Sequence, residues 1–555
     1  MWFVAFASQS DSAKRKDPEP AVAGDADREW WARLSGWILG LTLTWIAGAS
    51  MCIFGQWLLV QGTNWVVAAV AAGGGISGAF AALAGSGDHT ASSNHKPSLG
   101  QKLALRLAVP IAAVCVIALI SWGTAILGGW LVGDAKVFVI QNDLGRAGIP
   151  GPFTDYAIFA CVPIAAILAA LLFGFFVNVN RFSLHGMYRN RLVRAYLGAS
   201  NEKREPDRFT GFDPKDNVRM YQLRGAEPHK TPMRLLPVIN VTLNLLRDVK
   251  LAWQQRKAES FSITPYYCGN FYEGYRDSKL YGGPGGITLG TAMTISGAAA
   301  NPNMGYCSSP VLAFLMALFN VRLGAWLGNP NATGESTFSL PGPQQALVPL
   351  IGELFGFTTR DFKYVNLSDG GHFDNLGLYE MVLRRCRHIV VCDAGCDGKG
   401  TLDDLGRAIR AVRIDFGISI VFDKVDIIPT GKADKGLYCA TATIQYPDID
   451  GNEVTLGRLL YLKPTRAGRG GEVLPYDIYA YAKESTAFPH ESTIDQWFSE
   501  SQFESYRMLG EHTVRQILQG ATPGSVGALI ERADAYLKAN AVLPASTVAA
   551  VKAAA

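Results

Sequence analysis

Along the first 180 residues the apolar positions run together; beyond about residue 181 they become periodic. Residues 36–60 (GWILGLTLTWIAGASMCIFGQWLLV) contain no charged side chain, and segments 64–84, 108–132 and 156–179 share that property. Each is long enough to cross about 30 Å of hydrocarbon as a helix. Trp37, Trp57, Trp65 and Trp130 stand near the ends of these segments, where an aromatic belt would lie. The second segment is rich in glycine and alanine, which suits close helix packing. The pattern therefore predicts four transmembrane helices across residues 36–180. A lead-in of residues 1–35 precedes them; its stretch 9–30 is polar and rich in Pro, Ala and Asp, the mark of a flexible segment. The apolar start MWFVAFAS is followed by its basic residues, Lys14, Arg15 and Lys16, instead of preceded by them, and does not have the form of a signal peptide.

After the last apolar run, residues 181–235 form a basic juxtamembrane linker, in which FSLHGMYRNRLVRAYLGAS (182–200) is part basic and part apolar. From 236 to 480, short β-type runs alternate with helical periods. Helical patterns cover 288–300, 310–327, 343–356, 375–386 and 402–413. Strand patterns cover 261–267, 363–367, 387–393, 417–428, 436–446 and 454–463. Such alternation predicts an α/β fold, a layered sheet with helices packed on it. The remainder, 481–555, is helical from about residue 493, with Thr493 in a capping position.

Composition agrees with this division. The chain has 555 residues, 49% of them hydrophobic and only 18% charged, against about 25% charged in ordinary soluble domains. A net charge of +4 with scattered Lys and Arg is too mild for a nucleic-acid partner. Nine cysteines, an odd number spread along the chain, argue against a disulfide framework and for a reducing compartment around the large domain. Arg28, Arg33, Lys96, Lys102, Arg106 and then Arg181, Arg189, Arg191 and Arg194 flank the apolar runs on one side. On the other side, segment 61–63 has no basic residue, and Lys136 and Arg146 are offset by Asp134, Asp143 and Asp155. The positive-inside rule then puts both the N-terminus and the C-terminal domain in the cytoplasm.

The densest candidate chemistry lies in YVNLSDGGHFDNLGLYE, residues 364–380. A β-type run ends in Asp369, Gly370 and Gly371 follow, and a helix pattern begins at Asn375. This sets a carboxylate at the C-terminal lip of a strand, where open α/β sheets bind ligands. Burial against apolar walls would raise its pKa and suit it to take a proton from a serine hydroxyl. The plain alternative is an Asx turn joining strand to helix. The paired glycines allow backbone angles that let a partner come close. Ser77, in Gly75-Ile76-Ser77-Gly78, lies in an apolar run with no strand before it, and Ser296, in Ile295-Ser296-Gly297, lacks the leading glycine of a nucleophile elbow. Helix packing suits both better. Gly282-Gly283-Pro284-Gly285-Gly286, ahead of a helix, offers amides to an oxyanion or phosphate, or is a simple turn. Cys386, His388, Cys392 and Cys396 fit no zinc spacing and suit packing on a buried strand. Asp393 ends that strand much as Asp369 ends its own.

AMTISGAAANPNMGY (292–306), SDGGHFDNLGLYE (368–380), RHIVVCDAG (387–395) and FPHESTIDQWFSESQFESYRMLG (488–510) together resemble the membrane-linked bacterial patatin-like phospholipases. DREWWARLSGW (27–37) resembles the lead-in to that family's membrane segment. The resemblance implies a patatin-like sheet domain and a membrane-anchored lipid acyl hydrolase, a phospholipase or esterase working through a Ser–Asp dyad. Asp369 would be the catalytic aspartate of its Asp-Gly-Gly turn, with Gly370, Gly371, Ser296 and Asn375 as substrate-binding residues. It implies no metal, no cofactor, a membrane lipid as substrate and a place in the bacterial inner membrane. The family's glycine-rich oxyanion loop and Gly-x-Ser-x-Gly elbow are not found here, so the nucleophile is expected on a separate N-terminal segment. The rival expectation is a non-catalytic membrane protein whose α/β domain binds lipid or a protein partner.

Overall fold

The computed structural model describes residues 154–224, 235–247, 255–427, 436–447, 455–466, 474–492 and 499–540, together with Leu34, Ser35, Ile38 and Thr42. Of the four expected membrane spans, 64–84 and 108–132 lie outside these residues, as does 36–60 apart from Ile38 and Thr42. The fourth coincides with helix α1 (Thr154–Gly174), whose side chains are described only from Ile164 onward. Among the described residues no helix is long and apolar enough to cross a membrane. The four-helix transmembrane region is therefore corrected. The integral inner-membrane location and the cytoplasmic orientation of the N-terminus and C-terminal domain were built on it and fall with it.

Helices and strands mix along the described chain, which keeps it in the α/β class. Two compact units meet in sequence between Phe373 and Asp374, inside the expected 236–480 domain. The first contains one six-stranded sheet: β1 (Ile239–Asn244), β2 (Ala258–Ile263), β3 (Tyr267–Asn270), β4 (Gly274–Asp277), β5 (Ala325–Gly328) and β6 (Tyr364–Asp369). The order is β4-β3-β2-β1-β6-β5, and every neighbouring pair is antiparallel. The single helix expected over 310–327 breaks in two. Helix α4 (Pro310–Leu318) is followed by Asn320 at φ 51°, and the chain re-enters as β5.

Side chains alternate across each strand, and the alternation sorts this sheet's two faces. Val241, Leu243, Phe261, Ile263, Ala325, Leu327, Val365 and Leu367 share one core with Ala292 and Ile295 of helix α3 (Leu289–Ser296). Each fully buried Val, Leu, Ile or Phe side chain among them contributes about 1.5–3 kcal/mol. The opposite face carries Trp326 and Tyr364, packed with Val179, Ala346 and Leu350 of helix α5 (Leu347–Leu354). It also holds a fully buried Arg322–Glu353 ion pair. Glu353 Oε1 accepts from Arg322 Nε, Trp326 Nε1 and Asn366 Nδ2, each at 2.8 Å. Dense hydrogen bonding of this kind is what lets a buried charge pair offset its desolvation.

The second unit is built on a four-stranded sheet in the order β7-β10-β9-β8. Its strands are β7 (His388–Cys392), β8 (Ser419–Phe422), β9 (Cys439–Tyr446) and β10 (Thr455–Leu462); β7 and β10 run parallel and the other pairs antiparallel. Around the sheet lie α6 (Leu378–Leu383), α7 (Asp403–Phe416), α8 (Tyr476–Glu484), α9 (Glu500–Leu518) and α10 (Val526–Ala539). Cys439 and Leu460 pack against Ile530, Ala533 and Tyr536 of α10 and Ile517 of α9. Ser499 caps α9 by accepting from Gln502 N, whereas the expected cap Thr493 lies outside the described residues. β7 is not buried throughout as expected, because His388 and Cys392 at its ends are exposed.

Candidate active site around Asp369

Strand β6 carries Asp369 at its end, in step with Val365 and Leu367, so the carboxylate faces the side of the sheet that α3 covers. Its register partner on β1 is the apolar Val241. Helix α3 starts at Thr288, whose hydroxyl accepts from Thr291 N at 3.1 Å. It ends at Ser296, whose Oγ donates to the Asn240 carbonyl at 2.8 Å. That same carbonyl would lie 2.7 Å from a Cβ placed on Gly370. Glycine is needed at 370 for space, not for backbone angle: neither Gly370 nor Gly371 adopts a left-handed conformation. The structure thus brings Asp369, Gly370, Gly371 and Ser296 together.

Asp369 Oδ1 accepts from Gly371 N at 2.7 Å, which is the Asx turn of the plain alternative. The turn occupies only one carboxylate oxygen; among the described residues Oδ2 receives no hydrogen bond. The residue keeps some access to solvent, yet its carboxyl group is embedded in protein. Desolvation pushes its pKa up to about 6, against the pull of the Gly371 amide. A carboxylate with that pKa and one open oxygen is equipped to accept a proton near neutral pH.

Tyr188 was not anticipated. It sits on helix α2 (His185–Leu192), which packs along α3, and its hydroxyl would lie 2.9 Å from a Cβ on Gly297. Burial raises the phenol pKa, and the Asp369 carboxylate and Tyr196 raise it further. The side chain therefore lies within the field of Asp369. In the sequence it stands in a basic stretch, HGMYRNRL, and nothing distinguishes it there from a surface tyrosine.

On the other face of β6, Ser368 Oγ and His372 Nδ1 are 2.9 Å apart, spanning the turn. Asn244 Nδ2 donates to Ser368 Oγ at 2.8 Å, and the His372 ring also bonds the backbone of Ala299. Burial lowers the His372 pKa to about 4 and keeps the ring neutral. A Ser–His contact is the signature of nucleophilic catalysis, but Ser368 is 0% exposed and offers no approach to a substrate. It is a clamp on the turn, helped by Thr242 Oγ1 donating to Gly370 O at 3.2 Å.

The remaining expectations separate from this group. Asn375 belongs to the second unit, where it is exposed and donates to Asp404 Oδ2 at 2.9 Å. Asp393 in that unit is buried and saturated: Lys463 Nζ lies 3.0 Å from Oδ2, Tyr461 donates to Oδ2 at 2.5 Å, and Gly395 N donates to Oδ1 at 2.8 Å. In the Gly282–Gly286 loop, two amides are taken up internally, by Phe338 O and Gly283 O, as in a structural turn. Ser77 lies outside the described residues. Among the described residues no cluster of three or more His, Cys, Asp or Glu side chains could hold a metal. Compared with known protein families, with curated proteins and with solved structures, the chain matches none.

Proposed function

We propose that the chain is a lipid acyl ester hydrolase in which Asp369 is the general base. The observation that carries this reading is the open Oδ2 of a desolvated carboxylate whose pKa stands at about 6. In the reaction, Oδ2 takes the proton of a nucleophilic hydroxyl as its oxygen attacks the ester carbonyl, and water later clears the acyl intermediate. Neither serine beside the turn suits the nucleophile: the Ser296 hydroxyl is committed to the Asn240 carbonyl, and Ser368 is closed to solvent. The hydroxyl would therefore come from a serine on another segment. Support for an acyl substrate comes from Leu184, Met187 and Tyr196, large apolar side chains exposed around Tyr188.

The test is hydrolysis of p-nitrophenyl butyrate and of phosphatidylcholine from about pH 4 to about pH 9. Activity should rise along a limb near pH 6, the range to which the Asp369 pKa is pushed. Asp369→Asn should lower kcat/KM by about 10²–10⁴-fold. Turnover that survives this substitution removes Asp369 from the chemistry.

A further inference from the structure

We infer that the Tyr188 hydroxyl is the hydrogen-bond donor for the ester carbonyl oxygen, an assignment that rests on the reading of Asp369 as the base. Four groups converge here from three elements. Ser296 Oγ and the Gly297 backbone end α3, the Asn240 carbonyl lies on β1, and Gly370 continues from β6. Tyr188 reaches this point from α2, and its hydroxyl stands directly on Gly297. Among the described residues, neither the Tyr188 hydroxyl nor Asp369 Oδ2 has a hydrogen-bond partner. One is an open donor and the other an open acceptor, each beside the C-terminal end of α3 or the turn that follows β6. Ester cleavage by a hydroxyl needs that complement, an acceptor for the nucleophile's proton and a donor where the carbonyl oxygen gains charge.

The step balances without a further reagent. The nucleophile's oxygen bonds to the carbonyl carbon while its proton passes to Asp369 Oδ2. The carbonyl π pair moves onto oxygen, where Tyr188 donates its hydrogen bond. When the C=O bond re-forms, the leaving alkoxide departs and takes the proton back from Asp369. Tyr188 stays protonated throughout, since its surroundings oppose the phenolate. Proton transfer to Asp369 also removes that carboxylate's negative charge, which is felt at Tyr188.

The experiment uses the full chain and two readouts. Calorimetry with monobutyl butylphosphonate, a tetrahedral monoanion, reads the donor without requiring turnover; hydrolysis of p-nitrophenyl butyrate reads catalysis. Tyr188→Phe keeps the ring against Gly297 and should weaken phosphonate binding about 10- to 100-fold, as loss of a hydrogen bond to a charged group does. It should lower kcat by about 10²–10³-fold, with KM and the limb near pH 6 held. Gly297→Ala, whose Cβ would meet the hydroxyl at 2.9 Å, should reproduce the loss with Tyr188 intact. Asp369→Asn should lower turnover by about 10²–10⁴-fold yet bind the phosphonate at least as tightly, because a negative charge is gone. The assignment is overturned if wild-type protein does not bind the phosphonate, or if Tyr188→Phe binds it within about threefold of wild type. Turnover that persists in Asp369→Asn but collapses in Tyr188→Phe would remove the base and leave the donor standing.

Discussion

Asp369 and Asp393 end strands in the same way, and the two units treat them in opposite ways. Each follows an alternating β run and precedes a small residue, Gly370 or Ala394. At the end of β7, the parallel register that pairs Leu462 with Cys392 carries Lys463 alongside Asp393, and Tyr461 reaches the same carboxylate. At the end of β6, the antiparallel register sets Val241 opposite Asp369, and the turn supplies one amide. What the neighbouring strand delivers at that position decides the outcome. A cation makes the aspartate a structural anchor. A valine leaves it desolvated with an open oxygen, the condition for a base.

The harshest way to probe this difference is to unpair the anchor. Asp393→Ala strands the Lys463 ammonium, 2% exposed, and takes a partner from Tyr461. Leaving a buried charge uncompensated costs about 3–5 kcal/mol, to be read as a lowered urea midpoint of the second unit. Asp393→Leu combined with Lys463→Met should regain most of that loss, since apolar replacement of a whole buried pair is often neutral. The pH profile of hydrolysis should not move in either variant. A cost for Asp393→Ala below about 1 kcal/mol would mean that Lys463 is not held by Asp393.

A subtler contrast lies within the first unit, between Asp369 and His372, because their pKa values move in opposite directions. Asp369 rises from 3.8 to about 6, so between those values the folded state holds a proton that the unfolded chain releases. Its contribution is fully present below pH 3.8 and is lost as pH rises through about 6, a change of about 3 kcal/mol at 1.36 kcal/mol per pKa unit. His372 falls from 6.5 to about 4, so its contribution is present above pH 6.5 and is lost as pH falls through about 4, again by about 3 kcal/mol. The two slopes nearly cancel in the wild type. Asp369→Asn should expose the histidine's, with stability rising between pH 4 and pH 6.5, and His372→Gln should expose the aspartate's, with stability falling over the same interval. Urea titrations at both ends of that range decide it, and equal slopes in the two variants would refute both assignments.

Periodicity located the strand ending at Asp369, the short helix ending at Ser296 and the strand ending at Cys392, because each is a local pattern of apolar positions. Strand order and register are long-range and were not legible. The short β1 alternates Ile239, Val241 and Leu243 with Asn240, Thr242 and Asn244, a period-2 strand pattern absent from the expected elements, and it supplies the partner that leaves Asp369 bare. The uncharged runs before residue 180 met a length criterion for membrane helices, but among the described residues no helix is long and apolar enough to cross a membrane. Gly370 was noticed for its backbone freedom and matters for its missing Cβ. Tyr188 lies 181 residues before Asp369, and only the packing of α2 along α3 joins them.

Asn375 offers the smallest and most specific test of that lesson. The family resemblance placed it in the substrate site, six residues after Asp369. The structure assigns it to the second unit, exposed, with its amide donating to Asp404. A solvent-exposed hydrogen bond of this kind contributes little, so Asn375→Ala should change stability by less than about 0.5 kcal/mol. Asp404 keeps a second partner in Arg407 at 2.8 Å, which limits the loss further. Hydrolysis of p-nitrophenyl butyrate by Asn375→Ala should stay within about twofold of wild type. A drop of tenfold or more, with the urea midpoint unmoved, would show that Asn375 acts on the substrate, as the resemblance implies.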